Sequence, residues 1–88
     1  MEPLKMTKSR KDEQPINNDL PAKVGKRIKE LRIKAGYTNQ EHFAWDNQLG
    51  RSQYGKYEKG ADMRISSLEN ILNAFKITPK EFFSEGFD

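Results

Sequence analysis

An all-α fold of five short helices is predicted by three observations. Apolar residues recur at spacings of three and four along two stretches, Val24 to Ala35 and Leu68 to Phe75. Three segments have a Ser or Thr followed three residues later by Glu, the form of a capping box: Thr38–Glu41, Ser66–Glu69 and Thr78–Glu81. No stretch shows the apolar–polar alternation of a half-buried strand.

The totals fit that reading. Eighty-eight residues, 34% of them hydrophobic, make one small domain with at most a tail, and no deep substrate cavity. There is no cysteine, which removes disulfides and cysteine metal sites. The net charge of +3 permits nucleic-acid binding without requiring it. No run approaches the ~20 apolar residues of a membrane span, and the N-terminus lacks the apolar stretch of a signal peptide. A cytoplasmic protein is expected.

Residues 1–20 read as a flexible tail. Their charges cancel, they hold Pro3 and Pro15, and their apolar residues are too few to offset ordering entropy. A basic arm over Lys5 to Lys11, touching phosphates, is the alternative. The domain is expected to span residues 21–88 and to carry the whole +3. Asp19 can cap the first helix and Pro21 suits its first turn. Val24, Ile28, Leu31 and Ala35 form its apolar stripe. Lys26, Arg27, Lys29, Arg32 and Lys34 fall on its other faces, and Gly36 stops it. Thr38 and Glu41 cap a second helix, about 39–46, burying Phe43 and Ala44. Trp45 cannot share their side and is expected at the rim. Leu49 plugs the core beneath the following turn.

The third helix covers about 51–59, between Gly50 and Gly60. Tyr54 and Tyr57, three apart, share one face and fasten it to the domain. Gly55 in its middle costs roughly 1 kcal/mol against alanine, which implies close approach to the second helix or to a ligand backbone. Ser66 to Phe75 forms the fourth helix, with Leu68, Ile71, Leu72 and Phe75 inward. A short fifth helix, about 79–84, opens with Pro79 and carries Phe82 and Phe83; Phe87 returns to the domain.

The sequence is poor in catalytic equipment. His42 is the single histidine, no thiol is present, and neither a triad nor a Gly-rich phosphate loop is visible. Enzyme activity, metals, cofactors and small-molecule ligands are not expected. The outer face of the third helix is better supplied. Arg51 can bond guanine O6 and N7 in a fork, and Gln53 can bond adenine N6 and N7. Ser52 suits a base or a phosphate, as does Lys56. His42, near the positive start of the second helix, is placed for phosphate, and a tyrosine hydroxyl such as that of Tyr54 could reach one too. Two helices joined by a short turn, with donors opening the second, fit a helix-turn-helix reader of double-stranded DNA.

Val24–Arg32, Gln40–Ala44, Tyr57–Gly60, Leu68–Phe75 and Thr78–Phe83 together resemble the phage-repressor or Xre-like helix-turn-helix family. The resemblance implies a compact repressor-type domain that regulates transcription as a homodimer. It implies base and phosphate contacts from Arg51, Ser52, Gln53 and Lys56, and a phosphate contact from Gln40; Lys59, at the end of the third helix, is expected to contact phosphate as well. It also implies an Arg32–Glu58 pair tying the first helix to the third. The sequence departs from the pattern at Gln48, where glycine is usual, and at Gly50, where Ser or Thr usually caps, so Asn47 or Gln48 is expected to be left-handed. The rival reading is a protein-interaction module or antitoxin-type subunit whose DNA face is secondary, with Trp45, Phe83 and Phe87 as its partner surface.

Overall fold

The computed structural model describes residues 17–87, and its regular elements are all helices. In order they are α1 (Leu20–Lys34), α2 (Gln40–Asp46), α3 (Arg51–Glu58), α4 (Ile65–Phe75) and α5 (Pro79–Phe82). The expected tail falls mainly on residues 1–16, outside the described residues; its last position, Leu20, opens α1.

One core joins all five elements. Val24 and Ile28 of α1, Phe43 and Ala44 of α2, and Tyr54 and Tyr57 of α3 are buried with Ile71, Leu72 and Phe82. Phe43 is central: its ring stacks on Phe75 at 4.8 Å and meets Tyr54 at 5.2 Å. Burying a side chain of that size contributes roughly 1.5–3 kcal/mol. Leu49, Leu31, Leu68 and Phe87 pack around this core half-buried. Gly25 lets α1 lie directly on α3, because a Cβ there would run into the carbonyls of Tyr57 and Glu58.

The helix ends share one device. After α1, Gly36 is left-handed (φ 95°) and the Tyr37 amide donates back to the Arg32 carbonyl at 3.1 Å. Gly60 ends α3 the same way, with Ala61 donating to Lys56. Gln48 (φ 58°) and Lys76 (φ 60°) do this work after α2 and α4 without glycine, at a cost of about 1–2 kcal/mol each.

Several cap expectations are corrected. Asp19 stands at the α1 N-cap position with left-handed backbone (φ 57°) and its side chain caps nothing. Ala35 lies past the last turn of α1 and is exposed. Asn39, not Thr38, caps α2, accepting the His42 amide at 3.0 Å, because α2 starts one residue later than the box requires. Helix α4 starts at Ile65, two residues before the Ser66–Glu69 box requires, which puts Ser66 inside the helix and leaves that end without a side-chain cap. The Thr78–Glu81 box is present with both bonds formed, although α5 itself ends at Phe82.

Two arginines of α1 are buried: Arg27, expected on an outer face, and Arg32, expected to pair with Glu58. Arg27 reaches the end of α5, its Nε donating to the Phe82 carbonyl at 2.7 Å and its Nη2 to the Glu81 carbonyl at 3.0 Å. Arg32 faces inward towards α3.

Candidate nucleic-acid interface

Helix α3 is two-faced. Tyr54 and Tyr57 are buried, whereas Arg51, Ser52, Gln53 and Lys56 are exposed. The exposed four occupy the first turn and a half, and that first turn contains no acid to neutralise them. Gly50 opens the helix in extended conformation (φ −65°, ψ 120°) and supplies no side-chain cap, so the first α3 amides rely on solvent or a ligand.

The orientation of this face is fixed by Glu58, at the last position of α3. Its carboxylate is almost sealed from solvent, with the side chain 1% exposed. Arg32 of α1 donates from Nε at 2.7 Å and from Nη2 at 3.2 Å. Gln40 of α2 donates from Nε2 at 2.9 Å, and the Tyr54 hydroxyl donates at 2.5 Å. Arg32 Nη1 also donates to the Tyr37 carbonyl at 2.7 Å. Three helices thus share one buried carboxylate, and the close approach of α2 to α3 runs through Gly55. A Cβ on Gly55 would stand 3.1 Å from the Gln40 Oε1 atom, which identifies α2 as the neighbour that glycine accommodates. The bond to Glu58 raises the Arg32 guanidinium above its ordinary range. Burial, then the Glu58 bond, raises the Tyr54 phenol.

This network engages two of the residues expected at phosphate, Tyr54 and Gln40. Tyr54 is 1% exposed and its hydroxyl is spent on Glu58, so it has no reach to a backbone phosphate. The half-buried Gln40 turns its amide nitrogen inward to the same carboxylate. His42 is exposed, its Nε2 3.5 Å from the Asp46 carboxylate and its ring edge-on to Tyr37 at 5.4 Å. Lys59 is exposed but caps the far end of α3 from Arg51, about 12 Å along an eight-residue helix.

Two neighbours of the face were not legible in the sequence. The guanidinium of Arg51 lies over the Trp45 ring, 5.5 Å from its centroid. The pair spans the turn between α2 and α3, where no helical spacing rule applies. Gln53 borders a shallow hollow shared with Asp62, Arg64 and Ser67, which brings the start of α4 beside the α3 face.

Comparison with known proteins gives consistent matches. Residues 25–85 match the model of a family described as a helix-turn-helix domain. The control protein C.MunI of Mycoplasma sp is 33% identical over 69 residues, spanning 77% of this chain and 93% of that protein. The crystal structure of the restriction-modification controller protein C.AhdI from Aeromonas hydrophila is similar with a TM-score of 0.65 at 31% identity, covering 75% of this chain and 100% of that one. A structure of C.Esp1396I bound to a 25 base pair operator site is similar with a TM-score of 0.64 at 31% identity, over 73% of this chain and 84% of that one.

Proposed function

The chain belongs to the helix-turn-helix family matched over residues 25–85, and from that premise we propose that it is a sequence-specific double-stranded-DNA-binding transcriptional regulator. One observation carries the reading: four exposed donors open α3 on the face opposite its buried tyrosines. In the major groove Arg51 would fork onto a guanine and Gln53 onto an adenine, with Ser52 and Lys56 taking adjacent bases or phosphates. His42 and Lys59 are the phosphate contacts, which orient the helix without reading sequence. The similarity to the controllers named above supports a narrower assignment, control of restriction–modification gene expression. A regulator of this kind works in the cytoplasm and is not an enzyme. Among the described residues no cluster of acids and histidine could hold a metal, and no helix is long and apolar enough to cross a membrane.

The active form is a homodimer on a two-fold site, because one eight-residue reading helix covers few base pairs. Ile65 (80% exposed) and Phe83 (41% exposed) form an apolar strip with Leu20 and Leu68, which is the face offered to a second copy. The DNA-binding unit is residues 21–88.

Selection of binding sites from random duplexes at fixed salt tests the reading. A palindromic winner, with half-sites about one helical turn apart, is expected. Failure to enrich any sequence would overturn it in favour of an interaction module.

A further inference from the structure

Resting on the assignment of α3 as the reading helix, we infer that Trp45 is a positioning residue for Arg51, holding its guanidinium ready for one base pair of the site. Trp45 is the single tryptophan of the chain and is 69% exposed, so core packing does not account for it. It sits in the last turn of α2, and Arg51 is the first residue of α3. The left-handed Gln48 folds the chain back between them and brings the guanidinium carbon to 5.5 Å from the ring centroid. Trp45, Gln48, Leu49, Gly50 and Arg51 line one shallow hollow at this corner.

The chemistry of the pair suits readout. An arginine bonds a guanine through N–H groups in the plane of its guanidinium, whereas an aromatic ring engages the cation through the π face. With the guanidinium plane parallel to the ring, the two contacts would not compete for the same donors. Among the described residues no carboxylate forms an ion pair with Arg51, and the indole lies beside its guanidinium. An unsupported arginine loses much rotamer freedom on binding, and a side chain already held against a ring loses less.

The test uses the full chain and the duplex that site selection yields, with affinities measured by fluorescence anisotropy at one salt concentration. Arg51→Ala first identifies the base pair at which preference is lost. Trp45→Ala is then expected to weaken binding to the selected site about 2- to 5-fold, the equivalent of an exposed cation–π contact. It should flatten preference at that same base pair and leave the other pairs unchanged. Trp45→Phe should restore most of the preference. In an Arg51→Ala background, Trp45→Ala should have no further effect. Melting temperatures of all variants should match the parent, and Trp45→Leu serves if the alanine variant does not fold. If the Trp45→Ala loss persists undiminished in the Arg51→Ala background, or preference at that pair survives it, the positioning role is refuted while the reading helix stands. If Arg51→Ala itself leaves site preference unchanged, the assignment of α3 readout fails, and this inference with it.

Discussion

Removing the guanidinium of Arg32 should come close to unfolding the domain. The Arg32 and Glu58 side chains are 4% and 1% exposed, so Arg32→Ala leaves a sealed carboxylate without counter-charge. It deletes two bonds to Glu58 and a third to the Tyr37 carbonyl. Gln40 and Tyr54 would remain as donors, but both are neutral. Breaking a buried pair in this way costs about 3–5 kcal/mol, out of a total stability of about 5–15 kcal/mol for a domain. A loss of 3 kcal/mol corresponds to a fall of about 12–24 °C in melting temperature at this size. Urea titration followed by far-UV circular dichroism measures it. The control replaces both partners: Arg32→Met with Glu58→Leu removes both charges and should recover most of the loss. A cost below about 1 kcal/mol for Arg32→Ala, the value of a solvated surface pair, would refute the reasoning. So would a variant of normal stability that has lost only DNA affinity, because Arg32 would then be acting on the ligand.

Three further outcomes follow from the same geometry. Folding raises the Tyr54 phenol above its ordinary value near 10, so the folded state keeps a proton that the unfolded chain releases. That contribution is complete below about pH 10 and is lost as pH rises further, at up to about 1.4 kcal/mol per pH unit; Tyr54→Phe should show a shallower loss between pH 10 and 11, and equal slopes would count against it. Gly25→Ala should destabilise by more than 1 kcal/mol in thermal melts despite alanine's better helix propensity, because its Cβ meets unyielding carbonyls on α3; a stabilised variant would mean that α1 and α3 can separate freely. Ile65→Lys should shift sedimentation from dimer to monomer and weaken DNA binding while the fold is kept, since Ile65 is 80% exposed; an unchanged dimer would move the interface elsewhere.

The fold was legible because its main signals are local. Val24, Ile28, Ile71 and Leu72 were identifiable from spacing, Phe43 and Ala44 were expected inward, and each is buried; of Phe82 and Phe83, which were not told apart, Phe82 is the buried one. Gly36 and Gly60 are left-handed at helix ends, where a missing Cβ removes the penalty. Capping boxes were less reliable, because a Ser or Thr three residues before Glu records only spacing. At Thr78 the box forms, but the helix starts one residue late for Thr38 and two residues early for Ser66, and the same letters form no box. The burial of Arg27 was not legible at all. Its partners are carbonyls of α5, more than fifty positions along the chain, and backbone oxygens leave no mark in a sequence. Trp45 was placed at the rim by exclusion, since Phe43 held the inward position, but its partner across the turn could not be read from spacing.

The site and the scaffold meet in Glu58, and this explains why a basic reading helix ends on an acid. A carboxylate exposed on that face would repel the phosphate backbone. Sealed at 1% exposure and bonded by donors from α1, α2 and α3, it presents no such barrier. Instead it fixes α3 against both neighbours from its C-terminal end, leaving the N-terminal turn to project. The same arrangement commits the Tyr54 hydroxyl and one Nε2 donor of Gln40 to setting the angle of α3. Substituting either should therefore change DNA affinity through the placement of Arg51 and Gln53, with the loss spread over every base pair that α3 reads. Lys56, exposed and outside the network, should act on its own contact alone.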